Sequence, residues 1–369
     1  MKPEVKTSRR DFIRKGSVMA GILVVSPALL ATACTSNPGK KLGIALVGLG
    51  GYAGGQLAPA LQKTKNCYLA GIVTGTPAKA EAWSKKYDIP QKNIYNYQTF
   101  DEIAKNPDID IIYVVLPVSM HKEYTIRAAK AGKHVICEKP MALNAADCRE
   151  MIAACKEANR LLSIGYRLHF EPHNQEAMRL GQKQVLGKVT VIETGNGFVY
   201  TGDPNAWRLK KALAGGGGLM DMGIYAIQAA RYTLGQEPIA VKATQEKTKP
   251  DLFKEVDETV FWELKFPGGQ KVTGKSSYNN NWGYLRVTAE KGKFDVEPAY
   301  GYDGIDGHVN GKQMDLPNIV QQAAQIDDFA TCVQLNKMSR VPGEEGEKDM
   351  KVIDAIYRSL DSGKWENIG

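Results

Sequence analysis

A run of apolar residues, Leu42-Gly-Ile-Ala-Leu-Val47, passes directly into Gly48-Leu-Gly50-Gly51-Tyr52-Ala53. No other stretch constrains the chain as much. The run is short and bounded by a turn signal, which predicts a buried strand. Glycines at this point allow a tight turn and let the backbone approach a pyrophosphate, whose charge is met by the N-terminus of the next helix, expected over residues 55–63. A glycine turn that holds no ligand is the competing reading of the same residues. The sequence then alternates. Strands are expected at Tyr68–Val73, Asp110–Leu116 and Val135–Cys137, with helices from Ser119 to Ala131, ended by Gly132, and from Asn144 to Asn159. Such alternation predicts a doubly wound parallel sheet.

In an open parallel sheet ligands bind at the carboxyl ends of the strands. The second strand ends in Thr74-Gly75-Thr76, with Lys79 close behind. A carboxylate there would take the adenosine 2′-hydroxyl and favour NAD; hydroxyls, amides and a cation suit a 2′-phosphate better, so NADP(H) is expected and NAD is the alternative. The strand ending at Val135-Ile-Cys137 runs into Glu138-Lys139-Pro140. Proline biases the preceding backbone to the extended region, so the Lys139 ammonium is aimed at whatever lies beyond the strand. A solvated surface turn is the plainer reading of that tripeptide.

Beyond about Gly165 the period changes to two. Strands are expected at Lys188–Thr194, Ile239–Thr244, Thr259–Phe266 and Lys271–Ser277, with a further pair around Glu290-Lys-Gly292. They predict a mainly antiparallel, open-faced sheet in an α+β domain. Helices are expected at Leu219–Leu234, Ile319–Asn336 and Glu344–Ser362. The first follows four glycines, Gly215–Gly218, where backbone could pass close to a ligand. On it Asp221 and Tyr225 stand four apart and share a face. A phenol is a weak acid near pH 7, and a neighbouring ammonium favours its phenolate. Lys139, Asp221 and Tyr225 would together relay the proton of a hydroxyl that loses hydride.

These three motifs, in this order from about Lys41 onward, resemble the glucose-fructose oxidoreductase / inositol dehydrogenase (Gfo/Idh/MocA) family, and most closely its exported glucose-fructose branch. Many relatives carry histidine where this chain has Tyr225; the tyrosine matches that branch. The resemblance implies a Rossmann domain over 41–164, a substrate and oligomerisation domain over 165–369, and a homodimer or homotetramer paired through the open sheet. It implies hydride exchange between a bound nicotinamide and a sugar or glycoside. Cofactor contacts are implied for Leu116, Pro117, His121, Glu138, Lys139, Arg167, Trp207 and Arg208, beside Gly48, Gly50, Gly51, Tyr52, Ala53, Thr74, Gly75 and Lys79. Substrate contacts are implied for Lys139, Tyr166, Asp221, Tyr225 and Tyr278. Two other outcomes share the motifs: a glycosidase that oxidises C3 transiently, eliminates and adds water, and a non-catalytic, lipid-anchored sugar sensor. The intact Lys139 and Tyr225 count against the sensor.

The formal charge of +8 invites a nucleic-acid reading, yet half of it sits in residues 1–33, on Lys2, Lys6, Arg9, Arg10, Arg14 and Lys15 against Glu4 and Asp11. No basic block remains, so no nucleic-acid partner is expected. Ser8-Arg9-Arg10-Asp11-Phe12 is a twin-arginine pattern, and the apolar run from Val18 to Ala31 is short and broken by Pro27. Residues 1–33 therefore read as an export signal and 34–40 as a tether, with a periplasmic location. Ala31-Thr-Ala33 fits a simple cleavage site, while Leu30-Ala-Thr-Ala-Cys34 resembles a lipobox, so a lipid on Cys34 is the only membrane contact foreseen. The other five cysteines lack any C-x-x-C spacing, and neither a disulfide framework nor a metal site is expected.

Overall fold

The computed structural model describes residues 40–369. The expected signal, Cys34 and the tether up to residue 39 lie outside the described residues. Strand β1 (Leu42–Val47) sits inside a six-stranded sheet with β2 (Cys67–Val73), β3 (Ile94–Tyr95), β4 (Ile111–Val114), β5 (His134–Cys137) and β6 (Leu162–Ile164). The order is β3-β2-β1-β4-β5-β6, and every neighbouring pair is parallel. The chain steps outward from β1 to β3, then returns to the other side of β1. That reversal opens a crevice at the carboxyl ends of β1 and β4.

Helices α1 (Ala58–Leu61), α2 (Pro77–Tyr87), α3 (His121–Lys130) and α4 (Ala145–Glu157) join these strands. The helix expected over 55–63 begins instead as a wide π-type turn, Ala53–Leu57, before α1. Gly54 and Gly55 weaken regular helix there, and Pro59 cannot donate to a preceding turn. Ser119 does not cap α3; a 3₁₀ turn, Val118–Met120, leads into it. Asn144 does cap α4, accepting from the Asp147 amide at 2.9 Å.

The second sheet contains nine strands: β7 (Val189–Val199), β8 (Ala240–Glu246), β9 (Thr259–Lys265), β10 (Lys271–Ser277), β11 (Asn279–Ala289), β12 (Gly292–Val296), β13 (Gly307–Val309), β14 (Lys312–Gln313) and β15 (Glu366–Asn367). Its pairs are antiparallel except the central β7–β10 pair, which is parallel. Along β11, Leu285, Val287 and Ala289 are buried while Arg286 and Thr288 stay exposed, which is the alternation of a sheet covered on one face. Helices α5 (Pro172–Gln182), α6 (Lys211–Ala214), α7 (Ile224–Leu234), α8 (Gln321–Gln334) and α9 (Gly343–Ser362) complete the chain.

Helix α5 was not foreseen. Its cap is Glu171, which accepts from the Asn174 amide at 2.8 Å with Pro172 as first residue. Glutamate is not among the residues that usually announce a helix start. Helix α8 turns back to the parallel sheet, where Ile326 and Phe329 join Ile44 and Leu46 in one core. Its Asp327 accepts from the Lys65 and Asn66 amides at 2.9 and 2.8 Å.

Candidate active site

Lys139 leaves the carboxyl end of β5 with its side chain largely buried and crosses to the second sheet. Its Nζ donates to the backbone carbonyl of Asp221 at 2.7 Å and to Asp221 Oδ1 at 3.0 Å. The same ammonium lies 4.6 Å from the centroid of the Tyr225 ring. Asp221 stands in a wide π-type turn, Leu219–Gly223, that precedes α7, so its offset from Tyr225 is not that of a regular helix. Both residues nevertheless reach Lys139. Asp221 Oδ2 accepts from the Tyr278 hydroxyl at 2.9 Å and from Arg208 Nη1 at 3.3 Å. Burial works to raise the Asp221 carboxyl; Lys139, Arg208 and the Tyr278 hydroxyl outweigh it and hold the group at about 2. Burial likewise opposes the Lys139 charge, but Tyr225 and Asp221 outweigh it and raise that group. At neutral pH the site therefore presents an ammonium and a carboxylate beside the Tyr225 ring.

The glycine turn offers room on the same side. Gly48 takes φ +96°, and a Cβ there would meet the Val115 carbonyl oxygen at 2.4 Å, whereas Cβ atoms at Gly50 and Gly51 would meet nothing within 4 Å. A nucleotide pyrophosphate fits that open backbone at the start of a helix. Ala53 is buried behind it. Lys79 Nζ reaches the Leu49 carbonyl at 3.2 Å, which brings the β2 turn to the glycine turn. Thr74 Oγ1 accepts from the Thr76 amide at 3.2 Å, and Gly75 lies under the Tyr97 ring. Glu138 takes the Tyr113 hydroxyl at 2.7 Å and the Lys139 amide at 3.2 Å, and burial raises its carboxyl. Gly165 leaves space for that carboxyl: a Cβ there would stand 2.5 Å from Glu138 Oε1. Leu116, His121, Lys139, Trp207, Asp221 and Tyr278 line one cavity with Pro140.

Several expected roles shift with these positions. His121 is buried, with Nδ1 2.9 Å from the Pro140 carbonyl and Nε2 2.8 Å from the Leu116 carbonyl. Burial lowers its pKa, so the neutral ring donates to one of these carbonyls, and both nitrogens face backbone oxygens instead of a cofactor. Tyr166 is not brought to the cleft; it is buried beside Asp349, and burial with that carboxylate pushes its phenol well up. Tyr278 packs edge-on to Phe198 and stacks on Phe253, so its hydroxyl anchors Asp221 while its ring faces the core. Arg167 is spent on backbone: Nη1 donates to Gly301 O at 2.7 Å and Nη2 to Tyr300 O at 2.6 Å. Its guanidinium also bonds Gln321 Oε1.

Sequence reasoning missed what Arg167 holds. The Tyr302 ring lies over the guanidinium at 4.4 Å and 6.0 Å from the Tyr52 ring, and Tyr300 stacks on Tyr225. Tyr302 is 45% exposed. An exposed ring fixed above the reacting cluster is a surface on which an apolar ligand face can rest.

Comparison with known proteins follows the same division. Residues 42–166 match the model of the oxidoreductase family with an NAD-binding Rossmann fold, and residues 174–295 match the GFO/IDH/MocA C-terminal domain. The crystal structure of an aldose-aldose oxidoreductase from Caulobacter crescentus, complexed with glycerol, superposes with a TM-score of 0.86 at 43% identity. It covers 89% of this chain and 100% of that one. D-xylose 1-dehydrogenase [NADP(+)] of Haloarcula marismortui is 28% identical over 337 residues, 89% of this chain and 92% of that protein. D-xylose 1-dehydrogenase (NADP(+)) 2 of Haloferax volcanii is 28% identical over 328 residues, 86% and 97% of the two chains.

Proposed function

The chain belongs to the Gfo/Idh/MocA family of oxidoreductases, and we propose that it transfers hydride between an aldose hydroxyl or carbonyl and a tightly held NADP(H) outside the cytoplasm. The observation that carries this reading is Lys139 meeting both Asp221 and the Tyr225 ring at the mouth of the β1/β4 crevice. The 43% identical aldose-aldose oxidoreductase and the two NADP(+) xylose dehydrogenases point to the sugar and the nucleotide. The twin-arginine pattern in residues 8–12 supports export, and Cys34 is the proposed lipid site if the lipobox is the one cleaved. The exposed face of the second sheet is the proposed surface for self-association.

When bound, the nicotinamide supplies C4 as hydride acceptor or donor. Gly50 and Gly51 would hold the pyrophosphate, Thr74 and Lys79 the 2′-phosphate, and Leu116–Pro117 the nicotinamide side. Lys139, kept charged by Asp221, binds the reacting sugar oxygen beside the Tyr225 ring. Tyr225 takes the hydroxyl proton as hydride departs and returns it in the opposite direction. Arg208 and Tyr278 keep the Asp221 carboxylate turned to Lys139 and out of the proton path. The test is absorbance at 340 nm while the purified protein, loaded with NADP⁺, is mixed with aldoses and with chromogenic glycosides. Reduction by an aldose supports the proposal. Aglycone release without reduction overturns it in favour of a glycosidase, and inertness toward both overturns the enzyme reading.

A further inference from the structure

Four consecutive glycines precede the turn that carries Asp221, and close approach of a ligand is the obvious expectation. Packing within the chain accounts for them instead. Gly215 takes φ +80°, in the left-handed region. A Cβ at Gly216 would stand 1.8 Å from the Tyr357 hydroxyl, and one at Gly217 would stand 2.0 Å from the Asp257 carbonyl oxygen. At Gly218 it would meet the Glu258 carbonyl oxygen at 2.8 Å. The run is pressed between the segment entering β9 and helix α9.

The Asp257 carboxylate enters that contact and is only 5% exposed. Its Oδ1 accepts from the Gly217 amide at 2.8 Å and from the Tyr357 hydroxyl at 2.6 Å. Its Oδ2 accepts from the Leu219 amide at 2.7 Å. Amides at a helix start have no partner inside the helix and attract negative charge. Here the chain supplies that charge itself. Asp221 follows Leu219 by two residues in the same turn, and the neighbouring Glu258 carbonyl takes the Tyr278 amide at 2.9 Å. The two elements that present Asp221 and its Tyr278 partner are thus fastened to one dipeptide, Asp257-Glu258. Burial, Asp221 and, more weakly, Asp257 push the Tyr278 phenol well up.

We propose that Asp257, steadied by Tyr357, is a positioning residue for the reaction centre. It fixes the turn Leu219–Gly223 so that Asp221 meets Lys139. The inference rests on the reading above only in giving Lys139 and Tyr225 a reaction to serve.

Asp257→Asn removes the charge and turns an amide group toward a backbone donor. Turnover should fall about 10- to 100-fold while the sugar KM and bound nucleotide stay near parental values. Hydrogen exchange over residues 215–225 should quicken by about tenfold or more, a readout that survives even if no sugar is turned over. Parental exchange with parental kcat overturns the proposal. So does loss of nucleotide and thermal stability together, which marks a merely structural carboxylate. Should Asp257→Asn not fold, Tyr357→Phe decides: a fall in kcat of about 2- to 5-fold at unchanged nucleotide content supports the assignment, and parental kcat sinks it. A parent that binds no nucleotide and reduces no sugar would defeat the functional reading while leaving the exchange result to judge Asp257.

Discussion

The Lys139 ammonium donates to Asp221 twice, to its backbone carbonyl at 2.7 Å and to its carboxylate at 3.0 Å. The two residues are 82 positions apart, one just past the end of a parallel strand and the other in the turn that leads into α7. The double contact fixes the lysine's direction as well as its charge, because the carbonyl bond would persist if the carboxylate were protonated. The same ammonium lies over the Tyr225 ring, 4.6 Å from its centroid.

Tyr225→Phe removes the hydroxyl and leaves the ring stacked on Tyr300. Turnover should drop by roughly 10²–10⁴ with nucleotide content unchanged. Near-parental turnover in the variant would take Tyr225 out of the mechanism.

Asp221 is the acid-sensitive member of the cluster. Its carboxyl lies at about 2 in the folded chain against an ordinary 3.8. A depressed carboxyl contributes stability that is complete above the unfolded value and is lost as pH falls through the folded one. The loss should therefore run from about pH 4 to about pH 2 and amount to roughly 2 kcal/mol. Urea unfolding of the parent and of Asp221→Asn should show a stability gap that narrows over that window. A gap of constant size from pH 6 to pH 2 would contradict the assignment.

How much of this was legible depended on how local the determinants are. The strand with its glycine turn is one contiguous segment and Glu138-Lys139-Pro140 is another, so each could be read locally, but the tripeptide alone read as a solvated turn and its place at the carboxyl ends of the strands came only from the motifs taken together. Asp221 and Tyr225 were legible as neighbours, although the wide turn that joins them was not. Tyr302 was invisible, because its position depends on Arg167 reaching across more than a hundred residues to the carbonyls of Tyr300 and Gly301. Arg167 and Tyr166 are adjacent yet serve different contacts, the guanidinium lying over the Tyr302 ring and the phenol beside Asp349.

Tyr302 invites a direct test. If sugars rest on its exposed face, Tyr302→Ala should raise the sugar KM by roughly 3- to 10-fold, the worth of one aromatic contact, while Tyr302→Phe stays close to the parent. An unchanged KM in the alanine variant would show that the ring serves only to cover Arg167.

Lys79 spans from the β2 turn to the Leu49 carbonyl, beside the glycine turn. One charge-assisted contact to a 2′-phosphate should give about tenfold preference for NADP(H) over NAD(H), and Lys79→Ala should erase most of it. Equal affinity of the parent for the two nucleotides would exclude this discrimination.

The last prediction joins the proposed export signal to the site. A dehydrogenase that exchanges its nucleotide freely needs a pool of it, and no such pool is expected beyond the inner membrane. If the chain is exported by the twin-arginine route proposed above, it travels folded and can carry the nucleotide in place, which must then be regenerated without leaving. In the proposed mechanism Tyr225 would serve that need, since the same side-chain oxygen can take a proton from one sugar and return it to another while the Lys139 ammonium holds the reacting oxygen. The 43% identical aldose-aldose oxidoreductase is named for a reaction between two sugars. Nucleotide should copurify in near-stoichiometric amount and survive dialysis. Steady-state rates against a donor and an acceptor sugar, with no nucleotide added, should give parallel double-reciprocal lines. Intersecting lines, or activity strictly proportional to added free nucleotide in a protein purified empty, would overturn retention and with it the two-sugar cycle.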